Sequence, residues 1–174
     1  NAIKVLKNWK TSAGIEIKHS QVITAIAGGF SVNENIKIPN SVTDIPRVGT
    51  TMQIDKALSN LTYFGNGPVE TYPDRKYSPI RKVESTVNEQ YVPYVVPQEN
   101  GGHNGVRWFK LSGAGKSLKF HLDKPSQVSI NPYTCEELTQ KTHDVELIPA
   151  NGSVITIDAA HRGLGVASCG PDTL

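Results

Sequence analysis

The sequence predicts an all-β fold, an antiparallel sandwich or barrel, on three observations. Short runs of alternating polarity recur along the chain, clusters of Gly, Asn, Pro and Ser separate them, and helical periodicity is scarce. The strand-like runs are residues 15–17, 21–27, 30–38, 47–54, 91–96, 106–111, 118–122 and 154–159. In the fourth, Val48, Thr50, Met52 and Ile54 share one face; in the seventh, Leu118, Phe120 and Leu122 do so while Lys119 and His121 point away. Turn signals stand at Gly28-Gly29, Asn100-Gly101-Gly102, Gly113-Ala114-Gly115 and Asn151-Gly152. One short helix is expected over 134–143, because Thr134 and Glu137 have capping-box spacing. A single turn is expected over 55–60, where Ala57 and Leu58 follow an acidic cap.

A chain of 174 residues is long enough for one domain with a sizeable core. No Pro/Gly/Ser linker divides it, so residues 3–174 read as a single domain, with Asn1 and Ala2 as the scar of a cleaved expression tag. The net charge of +2 lacks the concentrated basic surface that phosphate backbones select, so no nucleic-acid partner is expected. No run approaches the roughly 20 apolar residues that cross a bilayer as a helix, so no membrane partner is expected. Cys135 and Cys169 allow a disulfide without arguing for one.

Residues 63–108 hold the densest mixture of rigid, aromatic and charged side chains. Glu70, Asp74, Arg75, Lys76, Glu99 and Arg107 lie there among Tyr63, Tyr72, Tyr91, Tyr94 and Trp108, with Pro68, Pro73, Pro93 and Pro97 fixing backbone angles between them. Glycoside hydrolysis needs two carboxylates, about 5 to 5.5 Å apart in retaining enzymes, and Glu70, Asp74, Glu89 and Glu99 are the acids available. Asp74 precedes two cations and Glu99 lies near Arg107, which favours charge-paired structural acids over catalytic ones. Trp108 beside Phe109 reads as core more readily than as a sugar platform. Gly113 to Ser117 ends like a phosphate loop but has Lys110 where that loop needs glycine, so a hairpin turn is expected instead. The histidines show no metal-ligand spacing, and no metal site is expected. His103 and His161, both in glycine-rich surroundings, can each reach a ligand or stay structural.

The segment Tyr63-Phe64-Gly65-Asn66-Gly67-Pro68, followed by Glu70, Tyr72, Asp74, Arg75 and Lys76, resembles the C-terminal β domain of bacterial β-galactosidases of glycoside hydrolase family two. Tyr91 to Tyr94, Pro97 to Gly101, Val106-Arg107-Trp108, Asn131 to Thr134, Ile157-Asp158, Gly163 to Gly165 and Ser168 to Pro171 follow in that family's order. The resemblance covers about residues 45–174. It implies a galactose-mutarotase-like antiparallel supersandwich that closes one side of an active site whose two catalytic glutamates lie on a separate (β/α)8 barrel. The chain is then a piece of a retaining β-galactosidase, inactive alone, whose partners are the remaining domains of the parent and a galactoside substrate. A homo-oligomeric parent and a bacterial cytoplasmic or periplasmic location are both compatible with it. It implies no cofactor in this chain and places any magnesium or sodium of the parent in other domains. The family continues into another strand beyond Leu174, so a missing last strand and an unpaired edge are expected.

By the same resemblance, Ser168, Cys169, His103 and Glu99 are the substrate-binding candidates, while Glu70, Tyr72, Asp74, Arg75, Lys76, Arg107 and Trp108 form a structural motif. Cys169 stands where relatives place a sugar-stacking tryptophan, and a thiol supplies no such face. His103 follows the PQENG run where an arginine is common, so the charge pair expected for Glu99 is weakened or rebuilt. Two alternatives stand beside this reading: an independent carbohydrate-binding sandwich with Trp108, Tyr91 or Tyr94 as its platform, and an aldose epimerase relative using His103 with Glu99.

Overall fold

A computed structural model describes residues 1–43 and 45–165. They fall into two compact units divided between Ile45 and Pro46, within which the secondary structure is almost wholly antiparallel β, as the polarity pattern predicts.

The first unit is a three-stranded meander of β1 (Ala2–Lys10), β2 (Glu16–Ile26) and β3 (Gly29–Lys37). Ile3 pairs with Ile23 and Ile23 with Val32, so alternate residues put an apolar row on one face. Ile3, Trp9 and Phe30 on that face are 66%, 55% and 73% exposed, so this small sheet buries little by itself. Runs 15–17 and 21–27 prove to be one strand, because Lys18, His19 and Ser20 pair through their backbones with β1 and β3 whatever their polarity. β1 escapes the polarity pattern because Lys7 interrupts the row of Ile3, Val5 and Trp9 while Leu6 falls on the opposite face, and it has no fully buried residue.

The second unit is a six-stranded antiparallel sheet. In chain order its strands are β4 (Arg47–Asp55), β5 (Asn60–Asn66), β6 (Ile80–Thr86), β7 (Gly102–Gly113), β8 (Lys116–Asn131) and β9 (Gly152–His161), and in space they run β4-β9-β8-β7-β5-β6. One face carries the core of Leu61, Tyr63, Val83, Val106, Phe109, Leu111, Val128, Ile130 and Ile155. Met52, Ile54, Phe120 and Leu122 pack against it, as their alternation predicts. Phe109 and Phe120 pair across strands with stacked rings 4.5 Å apart. β5 and β6 escape sequence reading for separate reasons. The inward positions of β5 are Leu61, Tyr63 and Gly65, and a side chain at 65 would lie 2.9 Å from the Val106 backbone, so the third apolar mark is necessarily missing. β6 lies at the sheet edge and buries only Val83.

The expected strand over 91–96 does not form. Pro93 has no N–H to donate, Tyr94 bonds back to the Val92 carbonyl, and the Val92 N–H is taken by the Asn100 side chain. Gly113 to Lys116 is the hairpin expected in place of a phosphate loop, with Ala114 and Gly115 both at positive φ of 48° and 72°. Residues 55–60 make a turn rather than a helix, in which Asp55 accepts from the Ala57 N–H.

The predicted helix is α1 (Cys135–Gln140), which ends earlier than 143 because Lys141 is extended. Thr134 caps it by accepting from the Glu137 N–H at 3.1 Å. Thr134→Ala is expected to cost about 1 kcal/mol in urea titrations, the usual value of a hydroxyl cap; an unchanged midpoint would show that tertiary contacts alone hold this helix.

Candidate functional site

Behind the core, on the opposite face of the β9-β8-β7 region, lies a second buried layer that is polar. Residues Glu70 to Arg75 run over the start of β7 and are pinned there by backbone and side chain together. Thr71 N–H donates to the Gly102 carbonyl at 2.7 Å, Gln127 donates to the Thr71 carbonyl at 2.9 Å, and the Thr71 hydroxyl accepts from Asn104 N–H at 2.8 Å. Tyr72 is fully buried, and its hydroxyl accepts from Gly102 N–H at 3.2 Å. Burial, followed by the nearby Glu99 and Glu70 charges, raises its pKa and keeps the phenol neutral.

Two carboxylates hold neighbouring loops to this base. Glu70, buried, accepts from Gly101 N–H at 3.0 Å, from Arg75 at 3.1 Å and from the Tyr94 hydroxyl. Asp74 accepts from two backbone amides about ninety residues away, Leu164 N–H at 3.2 Å and Gly165 N–H at 2.9 Å. The expected pairing of Asp74 with its neighbours Arg75 and Lys76 is therefore not what forms. Pro73 and Asp74 sit at the tip of a turn closed by reciprocal bonds between Tyr72 and Arg75, which sends Arg75 back to Glu70 and leaves Lys76 exposed.

A third group is centred on Arg47. Its terminal nitrogens make a two-pronged contact with Glu99 at 2.9 and 3.1 Å, and its Nε–H bonds Asp158 Oδ2 at 3.1 Å. Oδ1 of Asp158 is also 3.0 Å from Nε, but the N–H is not aimed at it and it has no hydrogen bond. Burial outweighs the Arg47 charge here and pushes the Asp158 carboxyl up to about 6. His161 lies alongside, its ring 5.8 Å from Tyr72 and its Nδ1 accepting from Gly163 N–H at 2.9 Å. Burial and then the Arg47 charge lower its pKa.

Glu99 is thus answered by Arg47, fifty-two residues earlier, and neither by Arg107 nor by His103. Arg107 instead lies 5.5 Å over the Phe64 ring. His103 is 5% exposed and faces the core side of β7, where it stacks on Tyr63 with centroids 4.4 Å apart. Its Nε2–H donates to Gln90 Oε1 at 2.6 Å and its Nδ1 accepts from the Tyr63 hydroxyl at 3.1 Å. The Gln90 amide is fixed in that sense because its Nε2 donates to Ser85 and to the Thr86 carbonyl. Burial drops the His103 pKa to about 4, so the ring is neutral and both nitrogens are spent inside the protein. Glu89, the remaining acid candidate, caps the adjacent turn by accepting from Ser85 and from Thr86 N–H, which holds its carboxyl below the usual range.

The aromatic candidates for a sugar platform also have partners within the protein. Trp108 is half-buried between Phe64, 6.5 Å away at 14°, and Lys119, whose ammonium lies 4.5 Å from the ring centre. Tyr91 meets Tyr133 edge-on at 4.8 Å, and Tyr94 donates to Glu70. Ser168 and Cys169 lie outside the described residues; Cys135 is exposed with a free thiol. Among the described residues no group of three His, Cys, Asp or Glu side chains could hold a metal ion. Arg47 and Asp158, the centre of the site, carried no motif that sequence reading could weigh for chemistry. The one available signal was Ile157-Asp158, an acid within the strand run 154–159 and among the motifs in the family's order, to which no role was attached.

A family model described as "Beta galactosidase small chain" matches residues 5–174. A β-galactosidase of Actinobacillus pleuropneumoniae is 35% identical over 83% of this chain, and one of Arthrobacter sp. strain B7 is 34% identical over 73%. A β-galactosidase of Kluyveromyces lactis is 29% identical over 88%. The chain spans only 14%, 13% and 15% of these three relatives, respectively.

Proposed function

Since the chain belongs to the β-galactosidase small-chain family, we propose that it serves as a non-catalytic β domain of a retaining, family-two β-galactosidase, helping to shape a galactoside site completed elsewhere in the parent. The observation that carries this is the state of its acids. A retaining glycosidase needs one carboxylate free to attack and a second free to exchange protons. Here Glu70 and Asp74 are filled by backbone N–H donors, Glu99 by both prongs of Arg47, and Asp158 is enclosed at 2% exposure. Such acids hold loops in place and are poorly placed to take part in chemistry. The parent's catalytic glutamates and any magnesium or sodium then belong to its other domains, which are this chain's partners along with the substrate.

The Lys119 ammonium over the Trp108 face, the edge contact of Tyr91 with Tyr133 and the hydroxyl bond that ties Tyr94 to Glu70 speak against an independent sugar-binding module. The buried, doubly bonded His103 speaks against an epimerase that would use it as acid or base. The test compares this chain with its parent on a chromogenic β-galactoside and by calorimetry. Hydrolysis by the parent alone, with no measurable heat from galactose or lactose on the chain, is the expected result. Turnover by the isolated chain, or its binding of galactose at roughly −8 to −4 kcal/mol, would replace this proposal with an enzyme or a binding module.

A further inference from the structure

The segment from Glu70 to Asp74 holds two loops that are far apart in sequence, one with each carboxylate. At one end, Glu70 takes the Gly101 N–H and the Tyr94 hydroxyl, and so fixes the loop that carries Glu99. At the other, Asp74 takes the N–H groups of Leu164 and Gly165 with one oxygen each. Between them, Thr71 and Tyr72 are locked onto β7, so both carboxylates project from one fixed base. Gly163 shows how closely the second contact is fitted. Its φ is 108°, and a Cβ there would lie 2.3 Å from the Asp74 carboxylate, so the close approach requires glycine.

We propose that Glu70 and Asp74 are positioning residues that act as a two-ended clamp, setting the 94–101 loop and the 163–165 turn in fixed register so that both present one galactoside-binding edge. The proposal rests on the function proposed above for its substrate, but the clamp itself rests on the contacts. Asp74 is exposed, and its two bonds go to backbone amides, so its loss leaves the core intact while freeing the turn. Its role is to lower the entropic cost of ordering the edge when the sugar binds, which appears in KM more than in kcat.

The experiment uses the full parent polypeptide with Asp74→Ala, Asp74→Asn and the unsubstituted protein. Amide hydrogen exchange is followed at Leu164 and Gly165, and steady-state kinetics are measured on a β-galactoside. Asp74→Ala is expected to speed exchange at those amides at least tenfold, leave that at Gly101 unchanged, and raise KM about tenfold with kcat within twofold. Asp74→Asn, which keeps one carbonyl acceptor, is expected to recover part of both effects. Unchanged exchange in Asp74→Ala overturns the clamp. Faster exchange with unchanged KM in an active parent overturns the positioning role. A parent inert toward β-galactosides overturns the proposed function instead, while the exchange data still judge the clamp.

Discussion

Replacing Arg47 with methionine is expected to cost about 3 kcal/mol of folding free energy at pH 7.5, measured by urea denaturation of this chain. Methionine keeps much of the stem's volume but removes the guanidinium, which leaves Glu99 without its two-pronged partner and Asp158 buried with no cation. Breaking a buried ion pair costs about 3–5 kcal/mol, and the lower end applies because Arg47 and Glu99 are 28% and 27% exposed. The loss has a pH signature. Asp158 has a folded pKa of about 6 even with Arg47 present, and removing the cation raises it further. An acid with a raised folded pKa lends stability that is complete below its unfolded pKa and is lost as pH rises through the folded value. The penalty of Arg47→Met is therefore smaller at pH 5 than at pH 8, where the carboxylate must ionise without a partner. Arg47→Lys is expected to restore less than half, since one ammonium cannot serve both carboxylates. A penalty independent of pH would show that Asp158 is not the group left stranded.

Stability of the unsubstituted chain is expected to change little between pH 4 and 6 from His103 and Asp158, the two buried groups whose shifts span that window, and Asp158→Asn should uncover a steep slope. His103 has a folded pKa of about 4 against an ordinary 6.5, so the unfolded state binds the extra proton. Its neutral, hydrogen-bonded form lends about 3 kcal/mol above pH 6.5, a contribution lost as pH falls toward 4. Asp158 runs the other way over almost the same window, with a contribution of about 3 kcal/mol below pH 3.8 that is lost as pH rises through 6. The opposing slopes nearly cancel. With asparagine at 158 only the histidine slope remains, about 1.4 kcal/mol per pH unit. Denaturant titrations at half-unit intervals check this, and parallel curves for the two proteins would refute the assignment of either group.

The pairing of Glu99 with Arg47 marks the limit of what a linear sequence conveys about such a site. Charge proximity along the chain suggested Asp74 with Arg75 and Glu99 with Arg107, yet every one of these partners is different in the fold. Local order was informative where the deciding interaction is local. The Thr134 cap, the Ala114-Gly115 hairpin and the shared face of Phe120 and Leu122 need only neighbouring residues, and all three form. Where backbone pairing decides, polarity misleads: β2 passes through Lys18-His19-Ser20 without interruption, and 91–96 looks extended yet pairs with nothing in the sheet because Pro93 and Asn100 redirect its hydrogen bonds.

By itself the sequence determined the all-β class, the antiparallel character, most strand positions and the family to which the chain belongs, because two-residue alternation and turn chemistry act over a few residues and ordered motifs survive as text. Only the tertiary structure decided which charges meet, that His103 faces inward in neutral form, and that Asp158 shares Arg47 with Glu99. The physical reason is that burial and long-range pairing set both the cost of a charge and the identity of its partner. Those quantities depend on which strands become neighbours, and β4, which supplies Arg47, finds its place beside β9 only when more than a hundred residues have been brought together.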